Sequence, residues 1–420
     1  MAALGAGDGD ARHIAMKIIR MRYGKSISQI NSYAKSNKRQ LYIKIWRSPV
    51  PAGIPIWFLT SNLLTSNQRN SVSSRRSCLS TQKDEVPMGL TTDVLVVGGG
   101  PAGLAAAIAA RKRGFSVVVV DGAKPPIDKA CGEGLLPGTL AALRELGIYI
   151  QAGDGESFQR IRFIDGSISA TANFPGDAGI GVRRTVLHQK MAARAVECGV
   201  ELLWNAPVTS VTQEGAIAGG KSVRAKWVVG ADGIHSRVRH WSGLHAGLNG
   251  ERRFAQRRIS RDSAMNVDEA LREFPKLADN LRDVKLSSVQ RGAVTATCRL
   301  DRVCRENIAL VGDASGSVDA ITGEGLGLSF RQALALADAL EAGDLEKYQS
   351  AHRRLARRPL LMSRLLLLLD GCAPLRRRVL QSLAKDPDLF TGLLTAHLQD
   401  TSLRLLAEVG ARLAWQLVTA

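Results

Sequence analysis

Three glycines at fixed spacing, Gly98-x-Gly100-x-x-Gly103, stand between an apolar run at 94–97 and an alanine-rich stretch at 104–113. A strand that turns sharply into a helix at such a triplet can hold a pyrophosphate. The first glycine permits the turn, the second leaves room for backbone N–H groups to approach the ligand, and the third lets the helix pack on the sheet. The helix N-terminus then offers unsatisfied donors and the positive end of its dipole. Asp121 ends a second apolar run, 18 residues past Gly103. That is close to the roughly 20 expected of an acid that accepts hydrogen bonds from an adenosine ribose.

Two further strand-to-turn signals carry acids. One is Gly230-Ala-Asp232-Gly-Ile-His-Ser-Arg, after an apolar stretch at 227–229. The other is Gly312-Asp313-Ala-Ser-Gly, after 308–311, which continues to Gly323-Glu-Gly325. Between the first and second signals lies Lys129-Ala-Cys131-Gly-Glu133-Gly. A thiol and a carboxyl so close together are candidates for a catalytic nucleophile and an acid or base. The plainer alternatives are a small residue filling space for Cys131 and an exposed loop acid for Glu133.

The elements that must position these residues alternate. Buried strands are expected at 94–97, 117–120, 227–230 and 308–311, since continuous apolar runs belong to parallel sheets covered on both faces. Helices are expected at 104–113, 136–146 and 186–197, and the chain after Gly325 is helical by pattern. Residues 161–174 alternate around Asp165-Gly166, which predicts a hairpin.

In this order the three motifs resemble the FAD-dependent oxidoreductases of the para-hydroxybenzoate hydroxylase fold, a superfamily of aromatic-ring monooxygenases, flavin halogenases and geranylgeranyl reductases. The resemblance runs from about 92 to 340. It implies an α/β chain: a Rossmann-like FAD-binding domain with GxGxxG, Asp-Gly and Gly-Asp motifs, a smaller, shortened β-sheet substrate domain, and a helical C-terminal tail. It also implies FAD as cofactor and NAD(P)H as transient reductant. By the same resemblance Gly98, Gly100 and Gly103 cradle the diphosphate, and Asp121 holds the adenosine ribose. Arg184, in Arg-x-x-Leu, lies along the cofactor. Val208, in Pro-Val-Thr-Ser-Val, offers a backbone contact to adenine. Asp232 belongs to the motif associated with FAD and NAD(P)H. Gly312 and Asp313 meet the ribityl chain, and Gly323 and Gly325 flank the loop beneath the isoalloxazine.

The segment at 129–134 resembles the Lys-x-Cys-Gly-Gly of geranylgeranyl reductases, with Glu133 in place of a glycine, and Thr322-Gly-Glu-Gly325 reads the same way. Positions where ring hydroxylases carry a His and an Asn hold Gly316 and Gly327. The expected chemistry is therefore reduction of a C=C bond or monooxygenation, on an apolar or aromatic small molecule. The stretch between Arg239 and Asn307 is several tens of residues below the family's usual span. That raises a competing reading: a degenerate or truncated FAD-binding protein without turnover.

The implied organisation is an N-terminal extension at 1–87, FAD-binding segments at 88–149, 176–239 and 305–345, substrate segments at 150–175 and 240–304, and a tail at 346–420. Among 420 residues, 57 are Lys or Arg and 38 Asp or Glu, a net charge of +19. Residues 11–83 contain no acid at all, so much of the excess sits in the extension. Its Arg- and Ser-rich composition fits either an organelle transit peptide or a non-native extension upstream of a working start at Met88, and it is expected to be mostly disordered. No nucleic-acid recognition motif accompanies the charge. The six cysteines form no C-x-x-C, so no metal site is expected, and few thiols in a long chain fit a cytoplasmic compartment. The Leu- and Arg-rich tail reads as a helical cap on the core, or alternatively as a peripheral contact to anionic lipid.

Overall fold

The computed structural model describes residues 89–247, 279 and 297–419, apart from 130, 132, 152 and 399–402. Outside these stretches it gives the backbone of seven short strands: Ile19–Arg20, Ser26–Ala34, Arg39–Lys44, Trp57–Leu59, Gln82–Lys83, Val284–Leu286 and Arg291–Ala293. The rest of the extension, and the rest of 248–296, lie outside the described residues.

Five parallel strands form the centre. Leu90–Val97, Val117–Val120, Glu201–Leu203, Lys221–Gly230 and Ile308–Leu310 are the first to fifth in chain order, and they lie side by side as third, second, first, fourth, fifth. The order reverses between Leu90–Val97 and Lys221–Gly230. Crevices at such a reversal, outside the carboxyl ends of the strands, are where ligands bind in open α/β sheets. All three acid- and glycine-bearing turns leave from these ends.

The strands are apolar because both faces are covered. Val94, Val96, Val117 and Val119 pack on one side with Leu104, Ile108, Phe330 and Leu336. Leu95, Val97, Val118 and Val120 pack on the other with the antiparallel meander Val208–Thr212, Gly215–Ala218 and the start of Lys221–Gly230. That last strand is longer than the expected 227–230. Its first half alternates buried and exposed residues, with one face wet, so it lacks a continuous apolar run.

The hairpin Arg160–Asp165 and Ile168–Asn173 forms as expected, with Asp165 opposite Ile168 and Gly166 at φ +58°. Trp57–Leu59 adds a third strand to it. A second small sheet joins Gly134–Leu135, Gly179–Val182 and Gly155–Phe158.

The elements described after Gly325 are all helices: Gly325–Glu341, Leu345–Gly371, Ala373–Lys385, Pro387–Leu398 and Leu403–Thr419. Of the two readings of the tail, packing onto the core accounts for most of its apolar residues. Val379, Leu383, Leu389, Phe390, Leu394 and Val409 close over Phe158, Ala170, Ala172 and Phe174 of the small sheets. Arg376, 1% exposed, pairs with Asp165 at 3.1 Å and also donates to the carbonyls of Leu369 and Asp370. Tail and hairpin thus share one core, and no described helix is long and apolar enough to cross a membrane.

Candidate functional site

The glycine-rich turn is held from several directions. Gly98 has φ +112°, and a Cβ there would stand 2.5 Å from the Ala231 carbonyl oxygen at the end of the neighbouring strand. A Cβ on Gly103 would stand 1.8 Å from the Gly98 carbonyl oxygen. These two glycines are required by close backbone approach. Gly100 differs: the nearest atom to a Cβ there is Arg184 Nη2, 4.0 Å away. The space in front of it is open, as a phosphate cradle demands.

Asp121 accepts from the Gly99 N–H through Oδ2 and from the Ala123 N–H through Oδ1, both at 2.7 Å. The Ala206 N–H donates to the Asp121 carbonyl, so the chain entering Val208 is tied beside this acid. His188, fully buried, lies 2.9 Å from the Gly99 carbonyl through Nε2. A carbonyl can only accept, so Nε2 carries the proton. Burial pushes this imidazole below its ordinary pKa, reinforced by the Arg184 charge and opposed by the Gly99 bond and Asp121.

Arg184 is buried at the first turn of the helix Arg184–Glu197, and its Nε has no hydrogen-bond partner in the protein. Gly312 has φ +63° and packs against the first turn of the helix Pro101–Lys112, where its Cβ would stand 2.6 Å from Ala102. Asp313 follows. Its side chain is exposed. Desolvation raises its carboxyl, while Arg184 and Lys129 oppose that rise. Gln332 accepts from the Gly312 N–H at 2.9 Å, and His352 contacts Ser315 Oγ at 2.9 Å. The Gly-Asp turn is thereby gripped by the two helices that follow it.

Asp232 directs its carboxylate to its own turn. Its carboxylate accepts from Ser236 Oγ at 2.5 Å and from the N–H groups of Arg237 at 2.6 Å and Val238 at 3.2 Å. It caps its own turn. Arg239, in the same motif, donates to the carbonyls of Ile234 and Ala314 and so links the Asp-Gly turn to the Gly-Asp turn.

Glu133 is not an exposed loop acid. It is 4% exposed, at φ +55°, and its Oε1 accepts the Arg184 N–H at 2.8 Å. Positive φ is a conformation that glycine adopts at no steric cost. Cys131 is half-buried, and its Sγ accepts from the Glu133 N–H at 3.4 Å. Gly323, at φ +73°, and Gly325 both face open space.

The arrangement brings Gly98, Gly100, Gly103, Asp121, Arg184, Gly312 and Asp313 to one crevice, with Lys129 on its rim. Sequence reasoning passed over His188, Arg239 and Gln332. His188 stands four residues after Arg184, on the same helix face, and that spacing was the available signal. An open glycine cradle, a buried guanidinium with an unused donor, and an acid opening into the cleft fit a pyrophosphate with a polyhydroxyl chain. FAD has both.

Comparison with known proteins agrees. The model of an FAD binding domain matches residues 91–269. A menaquinone reductase of Mycolicibacterium smegmatis is 32% identical over 36% of this chain and 40% of its own length. The chain thus spans less than half of that relative. Digeranylgeranylglycerophospholipid reductase 1 of Methanopyrus kandleri is 31% identical over 56% of this chain and 76% of its own length. Among solved structures, a flavoprotein/dehydrogenase from Cytophaga hutchinsonii superposes with a TM-score of 0.60 at 17% identity, covering 73% of this chain and 92% of the other. The chain belongs to the superfamily of FAD-dependent oxidoreductases that holds flavoprotein monooxygenases and geranylgeranyl reductase-like proteins.

Proposed function

We propose that the chain takes electrons from NAD(P)H and reduces a C=C bond of a long apolar small molecule. The observation that carries this reading is the placement of Cys131 and Glu133 beside Arg184, with Glu133 at φ +55°, in the segment that resembles the Lys-x-Cys-Gly-Gly of geranylgeranyl reductases. The archaeal relative's name, a reductase of a digeranylgeranyl lipid, supports the same substrate class.

Gly98, Gly100 and Gly103 would hold the diphosphate of FAD, with the guanidinium of Arg184 alongside it. Asp121 would take the adenosine ribose, the Val208 backbone the adenine, and Asp313 with Gly312 the ribityl chain. Gly323 and Gly325 would lie beneath the ring. When bound, FAD supplies two-electron transfer between nicotinamide and substrate. The chain's own part is orientation. Glu133 fixes the start of the Arg184 helix, and Cys131 lines the cleft beside it. Neutral His188 holds the Gly99 carbonyl, which keeps the remaining N–H groups of the turn facing the ligand.

On this reading the substrate comes from a lipid surface. Leu361, Leu365 and Leu368 of the helix Leu345–Gly371 are 54%, 47% and 55% exposed at helical spacing, and Arg357 and Arg364 beside them are exposed cations. An apolar stripe rimmed by arginine suits an anionic bilayer.

A second reading, a flavin-binding protein without turnover, is favoured by the small sheets of the substrate half and their closure by the tail. Anaerobic NADPH added to the purified, flavin-loaded full chain separates the readings. A bleached flavin spectrum, followed by a mass gain of two hydrogens on a polyprenyl substrate, supports the reductase. Gain of one oxygen in air would make it a monooxygenase. A bound flavin that NADPH leaves oxidised would support the protein without turnover.

A further inference from the structure

Glu324 stands between Gly323 and Gly325 and directly precedes the helix Gly325–Glu341. A carboxylate there ordinarily caps the helix by accepting a free N–H. This one makes no side-chain cap bond. It turns inward instead, 8% exposed, to stand 3.2 Å from His397 Nε2 of the helix Pro387–Leu398 and 3.8 Å from Arg331 Nη2 of its own helix. The 3.2 Å contact is out of hydrogen-bond alignment, and neither Glu324 Oε2 nor His397 Nδ1 has a hydrogen-bond partner in the protein.

The charged groups facing this pair are Arg331 on the same helix and Arg358 on Leu345–Gly371. Burial pushes the Glu324 carboxyl up to about 7, against the pull of Arg331. Burial, with Arg331 and Arg358, holds His397 down at about 4. Near neutral pH the imidazole is therefore neutral, and the carboxyl can exist in either form.

We propose that Glu324 is the charge-compensating proton acceptor of the flavin site. The inference rests on the reading that Gly323 and Gly325 lie beneath the ring. A hydride from NAD(P)H brings two electrons and one proton, so the ring gains one negative charge. A permanent carboxylate next to that loop would oppose the gain. One proton from solvent forms one O–H bond on Glu324 Oε2, with neutral His397 beside it, and no bond within the protein breaks. The net charge of the site is then the same before and after reduction. Glu324 is a positioning residue for charge; it touches neither substrate nor nicotinamide.

The test is the midpoint potential of the flavin-loaded full chain, measured from about pH 6 to about pH 9 in the wild type and in Glu324→Gln. The wild type is expected to take up one more proton per two electrons than the variant on the alkaline side of neutrality. Glu324→Asp should restore the steeper dependence. Should the variant fail to fold, reduced-minus-oxidised infrared spectra of the wild type serve instead, with a protonated-carboxyl band expected to appear on reduction. Parallel slopes for wild type and Glu324→Gln, or no such band in the wild type, would overturn the inference while leaving the flavin site standing. A full chain that takes up no flavin would overturn the reading of the site and this inference with it.

Discussion

Glu133 Oε1 accepts the backbone N–H of Arg184 at 2.8 Å, across 51 residues of chain. The residue that interrupts the glycine pattern of the 129–134 segment is thus the one that holds the start of the arginine-bearing helix. Its left-handed backbone costs about 1 kcal/mol relative to glycine, and the capping bond contributes a similar amount. Glu133→Ala keeps the strained conformation and loses the bond. It should lower stability by about 1–2 kcal/mol and weaken FAD binding, read by thermal unfolding with and without the flavin. Glu133→Gln keeps an acceptor and should stay near wild type. Equal losses in both variants would show that charge, and not the capping bond, is what Glu133 supplies.

The two kinds of glycine in the first turn should separate folding from binding. Alanine at Gly103 sets its Cβ 1.8 Å from the Gly98 carbonyl oxygen, and backbone must move. Alanine at Gly100 meets nothing closer than Arg184 Nη2 at 4.0 Å. Gly103→Ala should therefore express poorly or unfold early. Gly100→Ala should keep its melting temperature and its circular dichroism but lose the bound-flavin absorbance, because the methyl group occupies the cradle. Retention of flavin by Gly100→Ala would remove this turn from the cofactor site.

The Arg376–Asp165 pair joins the tail to the hairpin inside a shared core. Breaking a buried pair by removing one partner leaves an uncompensated charge and typically costs about 3–5 kcal/mol. Arg376→Met alone should cost that much in chemical denaturation. The double variant Arg376→Met with Asp165→Leu should recover most of it. A single variant with unchanged stability would mean that the tail and the hairpin do not share a core.

The exposed leucines of the helix Leu345–Gly371 predict binding to vesicles. Replacing Leu361, Leu365 and Leu368 with serine removes three apolar anchors at roughly 1.5–3 kcal/mol of burial each. Co-sedimentation with anionic phospholipid vesicles should fall at least tenfold, with melting temperature unchanged, since these side chains are already in water. Wild type that ignores anionic vesicles would sink the peripheral contact.

What the sequence made legible follows from periodicity and spacing. Val117–Val120 reads as a buried strand because all four residues are apolar and both faces are covered. The hairpin is announced by Asp165-Gly166, and the glycine does adopt positive φ. Lys221–Gly230 was only half visible, since its wet first half alternates. The site was legible where backbone dictates residue type, as at Gly98, Gly103 and Gly312. It was not legible where a side chain serves a distant partner. Nothing in the spacing of Arg376 announces Asp165, and nothing local sends Glu324 inward to His397 rather than to its own helix. Nor does the motif spacing of Asp232 announce that its carboxylate also caps its own turn.

His352 gives the pH dependence of folding a sign. Ser315 Oγ donates to the Gly312 carbonyl, so it accepts from His352, whose Nε2 carries a proton. Burial, with Arg353 adding to it, holds this ring at about 4. In the unfolded chain it titrates near 6.5. As pH falls through 6.5 the unfolded state binds a proton that the folded state refuses until about 4, so the stability from this group is complete above 6.5 and lost below it. The ring is only partly buried, which puts the loss at about 1–3 kcal/mol. His397 acts in the same window with the same sign. Glu324 opposes them: its raised carboxyl makes stability fall as pH climbs from its ordinary 4.5 through about 7. Two imidazoles outweigh one carboxyl, so denaturation midpoints should rise with pH up to about 6.5 and then slacken. His352→Gln keeps a donor for Ser315 and removes the titration. It should flatten the acid limb by about one proton, and an acid limb as steep as the wild type's would show that His352 does not titrate differently on folding.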